Sequence, residues 1–166
     1  KEVKGVDVPR PFRRMPYSEA MARYGSDKPD MRIDLEIVDV AEIVVKSEFQ
    51  VFKDVLGRGG LVRGLCIPGG AVLSRKDLDD YTKFAQGFGA KGMAWIKYNE
   101  DGLNSPILKF FPEETIQEML AAFKAKVGDL ILFIADKESV VCQTLGALRL
   151  EMGKRFQMIK PGLEFL

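Results

Sequence analysis

The alternation of apolar and polar positions is clearest between Leu61 and Ala135. Some stretches repeat apolar residues at every second position, as strands do, and others at every third or fourth, as helices do. The predicted strands cover residues 61–67, 92–98, 107–111 and 130–135, and the predicted helices run from Ser74 to about Gly87 and from Pro112 to about Val127. This order predicts an α+β fold, a two-layer sandwich of split βαβ type with a mostly antiparallel sheet and helices packed on one face.

The flanking segments show weaker patterns. Residues 1–16 contain three prolines and no usable period, so they are expected to form a connector. The remaining predicted elements are a helix over Tyr17–Tyr24 ended by Gly25, a strand near Leu35–Val38, a short helix or turn over 40–46, a strand at 49–52, a glycine hairpin turn at 57–60 and a last helix over about 137–156.

Composition excludes several classes of function. Lysine and arginine total 25 and aspartate and glutamate 24, so the net charge of +1 gives no global field for nucleic acid. The chain has no histidine and therefore cannot build a Ser-His-Asp triad or a Cys-His pair on its own. Cys66 and Cys142 match no zinc spacing and are expected to be reduced thiols.

The ends of the sequence suggest a piece of a longer protein. Residues 1–7 lack the apolar segment of a signal peptide, and the chain does not begin with Met. No run of eighteen apolar residues could cross a bilayer, so no membrane association is expected. The apolar end at 163–166 has no evident partner in the sandwich, as expected of a domain cut from a larger chain.

Two glycine-rich segments are weak candidates for anion binding. Gly57–Gly60 lacks the third glycine of a GxGxxG motif and any Walker lysine, so a turn is favoured over a phosphate loop. Pro68–Gly70 precedes the helix at Ser74, where backbone amides could face a phosphate. Most such loops are only tight turns, and that interpretation is preferred here as well.

A basic stretch is the main candidate for nucleic-acid contact. Arg10, Arg13 and Arg14 alternate with aromatic residues and could pair with phosphates, or they could belong to a solvated connector. Lys28 lies in a charged cluster with Asp27, Asp30 and Arg32 that is more typical of a salt-bridged turn than of catalysis.

Trp95 and Phe110 could form a stacking platform for RNA bases, although core packing is the favoured interpretation. The adjacent carboxylates at 79–80 and 113–114 lie on helices, so they point in different directions and are expected to face solvent.

Longer strings resemble one family. Residues 24–32 read YGSDKPDMR, similar to the YGSDKPDLR segment of bacterial-type aspartyl-tRNA synthetases. Further strings recur there in the same order: PFRRMPY at 11–17, EAM at 19–21, IPGGA at 67–71, GAKGMAWIK at 89–97, SPI at 105–107 and GALRL at 146–150. The resemblance covers essentially the whole chain.

The resemblance implies an internal piece of the enzyme centred on the GAD insertion domain. By this mapping, residues 1–33 and 144–166 belong to the class II catalytic domain and residues 34–143 form the insertion. The full-length synthetase would use ATP and Mg²⁺ to activate aspartate, attach it to tRNA, form a homodimer and be cytoplasmic. The insertion would help to place the tRNA acceptor end or a partner protein, with Arg10, Arg13, Arg14 and Lys28 as candidate tRNA contacts.

The chain also departs from the family pattern. It lacks the arginine-bearing ATP loop, the GxDR string of the third class II motif, the histidine of the aspartate pocket and the anticodon-binding domain. No residue is therefore assigned to catalysis, cofactor binding or metal binding, and the chain by itself is expected to be inactive. An alternative is the GAD module of a tRNA-dependent amidotransferase subunit, which would have a binding role. A stand-alone small enzyme has little support.

Overall fold

The computed structural model describes residues 14–160, which form six α-helices and five β-strands. The helices are α1 (Tyr17–Tyr24), α2 (Ala41–Val44), α3 (Gln50–Gly57), α4 (Arg75–Gln86), α5 (Glu113–Phe123) and α6 (Glu138–Arg155), and the strands are β1 (Val38–Asp39), β2 (Leu61–Ile67), β3 (Ala94–Asn99), β4 (Gly102–Asn104) and β5 (Leu130–Asp136). Between residues 14 and 160, no helix is both long and apolar enough to span a bilayer.

The five strands form one antiparallel sheet in the order β1-β2-β5-β3-β4. The central strand, β5, pairs along its whole length with β2 and over four residues with β3. β2 and β3 therefore run parallel to each other, with β5 between them and α4 connecting them. This arrangement confirms the α+β class and the split βαβ order that the sequence predicts.

Helices cover both faces of the sheet, and here the structure differs from the expected single helical layer. On one face, Leu130, Leu132 and Ile134 of β5 pack in a core that includes residues of α4 and α6. On the other, Ile131 and Phe133 pack in a second core with residues of α2, α3 and α5. Because β5 is apolar at every position from 130 to 134, each face of the sheet needs its own covering layer.

Local sequence signals place several element ends correctly. Gly25 ends α1 in the left-handed conformation, with φ of 68°, and its N–H donates to the Met21 carbonyl. Ser74 and Asp77 form a reciprocal capping box at the start of α4. The buried strand at 130–136 and the final helix also match their predicted positions.

The predicted strand at 49–52 is wrong, because this segment begins α3. Phe52 and Val55 are both buried and lie three residues apart, which is helical spacing. The predicted strand ends at residue 52, so this spacing extends beyond it. The glycines at 57–60 consequently close a helix and lead into β2. They do not form the predicted hairpin turn between two strands.

The predicted hairpin strand at 107–111 is also wrong. The hairpin partner of β3 is the short β4, and residues 108–110 form a single 3₁₀ turn. Pro106 lacks the N–H that a paired strand would use, and Phe110 packs edge-on against Phe49, with 5.2 Å between ring centroids. The strand expected near 35–38 is reduced to β1, while Leu35 and Ile37 are buried outside any strand.

Candidate nucleic-acid interface

The structure describes two of the four predicted tRNA contacts. Arg14 and Lys28 are both exposed, at opposite ends of α1, whereas Arg10 and Arg13 lie outside the described residues. The eight residues of α1 separate the two side chains by roughly 12 Å of helix, at 1.5 Å per residue. Neither forms an ion pair with another residue in the range 14–160. Both cations are therefore exposed to solvent, one before the start of α1 and one after its end.

The loop that carries Lys28 is ordered by its own polar side chains. The Lys28 N–H donates to Ser26 Oγ at 3.0 Å. The Asp30 carboxylate accepts from Arg32 Nε at 2.9 Å and from Arg32 Nη2 at 2.7 Å. The hydrogen bonds from Arg32 are the largest cause of a pKa of about 2 for Asp30. Within the charged cluster, Asp30 and Arg32 therefore form the salt bridge expected of such a turn, whereas Lys28 forms no ion pair with another residue of the described range.

Arg149 of α6 fastens this loop to the rest of the molecule. The side chain is 1% exposed, and its Nε donates to the Leu35 carbonyl at 2.6 Å. Its Nη2 donates to the carbonyls of Asp30, at 2.8 Å, and Ile33, at 2.5 Å. The guanidinium also lies over the Tyr24 ring, with Cζ 4.7 Å from the ring centroid. One buried cation therefore fixes the whole segment from Tyr24 to Leu35.

Two glycines of α6 allow the flanking segment to approach the helix closely. A Cβ on Gly146 would lie 2.9 Å from the Gly25 carbonyl oxygen, and a Cβ on Gly25 would lie 2.2 Å from the Cys142 carbonyl oxygen. Farther along α6, a Cβ on Gly153 would meet Ile33 at 2.6 Å. These contacts pack residues 24–33 directly on the α6 backbone, so the loop and helix are positioned together.

A groove of about 770 Å³ is lined by residues of α1 and of the start of α6, next to the contact between the Cys142 thiol and the Met21 carbonyl. Its lining includes Tyr17, Arg63 and Cys142, together with the carboxylates of Asp27 and Glu138. Arg63 is already paired with Asp39, at 3.1 Å from Nε to Oδ2. Burial raises the pKa of the Cys142 thiol, so this cysteine is a poor nucleophile at neutral pH.

The other sequence candidates are structural. Trp95 and Phe110 belong to cores on opposite faces of the sheet, so they form no common platform and the favoured core interpretation is confirmed. The segment after Pro68 is a tight turn in which Gly69 has φ of 74°. Ser74 Oγ already accepts the Asp77 N–H at the start of α4.

Both cysteines are free, as expected for reduced thiols. Burial is the largest cause of a pKa of about 12 for Cys66, and the neighbouring Asp129 carboxylate raises it further. The Cys66 thiol donates to Asp129 Oδ2 at 3.5 Å. Among residues 14–160, no three aspartate, glutamate or cysteine side chains are grouped so that they could hold a metal ion.

One cluster of cations is not found by sequence reasoning. Arg58, Lys91 and Lys137 line a single cavity of about 240 Å³ next to Gly59 and Gly60. The three cations are far apart in the sequence, and only the fold brings them together. The glycines at 57–60 are the single signal in the sequence, and on their own they favour a turn.

Comparison with known proteins identifies the family. The GAD domain family model matches residues 52–145. The chain is 50% identical over 165 residues to an aspartate–tRNA ligase of Clostridium perfringens strain 13, covering 99% of this chain and 28% of the relative. It is 50% identical over 160 residues to the aspartate–tRNA ligase of Shouchella clausii, and 49% identical over 161 residues to the aspartate–tRNA(Asp/Asn) ligase of Moorella thermoacetica; each match covers 27% of the relative.

This chain therefore spans little more than a quarter of the curated relatives that it matches. The match to the family model covers more than half of the chain and includes β2, α4, β3, β4, α5 and β5. It begins at residue 52 and ends inside α6, whereas the sequence predicts an insertion over residues 34–143. The chain belongs to the GAD domain family.

Proposed function

We propose that this chain is the accessory insertion domain of an aspartate–tRNA ligase, together with the flanking segments that join the insertion to the catalytic domain. The supporting observation is the extent of the similarity, which covers 99% of the chain, whereas the GAD match covers only residues 52–145. A GAD module in an amidotransferase subunit would account for the match to the GAD family model. It would not account for the similarity to the ligases outside residues 52–145. The three relatives named above are ligases, and none is an amidotransferase subunit.

The full-length enzyme would activate aspartate with ATP and Mg²⁺ and transfer it to tRNA, as a cytoplasmic homodimer. In this proposal ATP and Mg²⁺ bind in parts of the enzyme outside this chain. The contribution of the described residues is mechanical and electrostatic. They hold the insertion in a fixed orientation and present cations to the RNA.

The fixed orientation is supported by α6. This helix starts inside the GAD match and continues to Arg155, beyond its end. Arg149 and Gly153 then hold the segment around Ile33 against the continuation of the helix. A continuous helix with a buried polar anchor transmits orientation better than a flexible linker does, so the insertion would be coupled rigidly to the catalytic domain.

The RNA contact is assigned to Arg10, Arg13, Arg14 and Lys28. Arginine and lysine side chains pair with backbone phosphates irrespective of base sequence and so position the RNA. The exposure of Arg14 and Lys28 supports this role, as does the ordered loop that presents Lys28.

The test uses the full-length ligase with all four residues replaced by alanine. We expect tRNA binding to weaken, and the slope of log K against log salt to fall by about 0.9 for each phosphate that the protein no longer neutralises. Arg75→Ala/Lys76→Ala/Lys83→Ala, which removes exposed cations of α4, is the control and should leave the slope unchanged. An unchanged slope in the quadruple variant would contradict the assignment.

A second measurement addresses the inactivity of the chain alone. The purified 166-residue chain should give no aspartate-dependent exchange of pyrophosphate into ATP. Exchange above a blank without aspartate would show that catalytic residues lie within this chain, and the accessory role would then be wrong.

A further inference from the structure

The cavity beside Gly59 and Gly60 has an unbalanced positive charge. Arg58 follows α3, Lys91 lies in the loop after α4, and Lys137 precedes α6. All three side chains are exposed, and none forms an ion pair with another residue of the described range. The one carboxylate in the lining, that of Asp136, accepts the Lys137 N–H at 2.7 Å. Three cations thus face one carboxylate.

Such an arrangement favours an anion. Like charges that share a cavity repel one another, and the attraction of each cation to a phosphate placed among them offsets that repulsion. The Arg58 guanidinium has only a weak contact of its own, from Nε to the Asp54 carbonyl at 3.3 Å. Gly59 has open space where a Cβ would lie, so the backbone leaves the cavity accessible.

An apolar groove of about 450 Å³ continues from this cavity. The two share Val55, Arg58 and Lys91, so they form one continuous surface. The groove adds Phe49, Val51 and Met93 to the lining, and Val51 is 57% exposed. It also adds the Asp54 carboxylate, which accepts from Gln50 Nε2 at 2.6 Å, so the whole surface carries three cations and two carboxylates. A cationic cavity joined to an apolar groove matches the two halves of a nucleotide, the phosphate and the base.

We infer that this surface, composed of the cavity and the groove, binds a single-stranded segment of RNA. A phosphate lies among Arg58, Lys91 and Lys137, and the adjacent base lies against the groove beside Phe49. A single strand is required because the bases of a duplex are stacked inside it and cannot reach an apolar groove. This inference rests on the proposed function only in making RNA the ligand, and it uses none of the four residues assigned above.

The experiment measures binding of a fluorescein-labelled single-stranded RNA of about eight nucleotides, within the usual site size for single strands, to the 166-residue chain. Fluorescence anisotropy is recorded over a range of salt concentrations.

The variant Arg58→Ala/Lys91→Ala/Lys137→Ala is compared with the control Arg75→Ala/Lys76→Ala/Lys83→Ala, which also removes one arginine and two lysines from exposed positions. We expect the first variant to bind about tenfold more weakly or worse, and its salt slope to fall by about 0.7 for each phosphate left unpaired. The control should retain the affinity and slope of the unmodified chain.

A second arm tests the groove with an abasic oligonucleotide of the same length. Its affinity for the unmodified chain should be at least about fivefold lower, the lower end of what stacking on an aromatic residue contributes. Equal affinity of the two oligonucleotides would overturn the assignment of the groove. Equal losses of affinity in the two triple variants would overturn the assignment of the cavity.

Two further outcomes would also contradict the inference. No measurable RNA binding, with inorganic phosphate still protecting the cavity lysines from acylation, would show a site for a free anion. Tighter binding of an equally long RNA duplex would show that the groove is not used. The tRNA test on the full-length ligase changes different residues and uses a different ligand from the oligonucleotide test. Failure of the proposed function is therefore distinguishable from failure of this inference.

Discussion

Two groups of cations in this molecule have opposite surroundings. Arg149 is buried and donates three hydrogen bonds to backbone carbonyls. Arg58, Lys91 and Lys137 are exposed around one cavity and lack ion-pair partners among residues 14–160. Arg149 is thus one side chain with several hydrogen-bond acceptors, whereas the three cavity cations have no ion-pair partner in the described range.

The comparison separates charge used for folding from charge available for binding. Burial lowers the pKa of Arg149, yet arginine remains charged in proteins, so its desolvation has to be offset by the carbonyls it contacts. The exposed cations remain hydrated and incur little desolvation, and their mutual repulsion is relieved only by an anion. Stability should therefore depend on Arg149, and ligand affinity on the cavity.

The largest expected effect is that of Arg149→Leu on stability. The substitution leaves the carbonyls of Ile33 and Leu35 without the Arg149 donor, whereas the Asp30 carbonyl keeps a long hydrogen bond from the Ile33 N–H at 3.4 Å. Each unsatisfied buried acceptor costs roughly 1–3 kcal/mol, so we expect the free energy of unfolding to fall by about 2 kcal/mol or more. Urea denaturation of the chain measures it. Arg149→Lys should recover only part of the loss, because an ammonium lacks the planar fork. A loss below about 1 kcal/mol for Arg149→Leu would refute the anchor.

The second prediction concerns the close approach that brings the same loop onto α6. In Gly146→Ala the new Cβ would lie 2.9 Å from the Gly25 carbonyl oxygen, so backbone must move. We expect a loss of about 1–3 kcal/mol, the usual cost of overpacking. Gly57→Ala is the matched control, since nothing lies within 4 Å of its Cβ position, and it should be neutral or slightly stabilising. Thermal unfolding of both variants compares them; equal stability would contradict the close approach.

Much of the fold could be predicted from the sequence because its strongest signals are local. The capping box at Ser74 and Asp77 and the left-handed Gly25 act within a few residues, and both mark helix ends correctly. The segment around Phe49 is mispredicted because a short apolar run does not distinguish strand from helix, and the aromatic contact with Phe110 that stabilises it is distant in sequence. Helical cover on both sheet faces also escapes the prediction, although β5 is apolar at consecutive positions.

The candidate site was less predictable. Arg14 and Lys28 could be proposed because each lies in a recognisable polar stretch, and both are exposed. The role of Arg149 depends on carbonyls more than 100 positions away, and backbone carbonyls have no sequence signature. Lys91 and Lys137 are similarly inconspicuous until the fold places them beside Arg58.

A smaller effect is expected from Asp30, which lies beside the buried anchor yet is itself partly exposed. Its pKa is lowered to about 2 from an ordinary value near 3.8, so the folded state favours the charged form. The contribution of the ionised Asp30 carboxylate to the free energy of unfolding is complete above about pH 4–5 and is lost as the pH falls towards 2. The difference in unfolding free energy between the wild type and Asp30→Asn should therefore shrink over this range. Urea denaturation at several pH values measures it, and a difference independent of pH would contradict the ion pair with Arg32.

The smallest stability effect should come from the cationic cavity. Arg58→Ala/Lys91→Ala/Lys137→Ala removes exposed side chains without ion-pair partners in the described range, so each change should stay within about 0.5 kcal/mol. Removal of their mutual repulsion should make the net change zero or slightly stabilising at low salt. This gain should fade near about 0.1 M salt, where charges are screened over about 10 Å. Urea denaturation at two salt concentrations measures both effects. A clear destabilisation would mean that these cations support the fold, as Arg149 does, and the contrast between the two groups would then disappear.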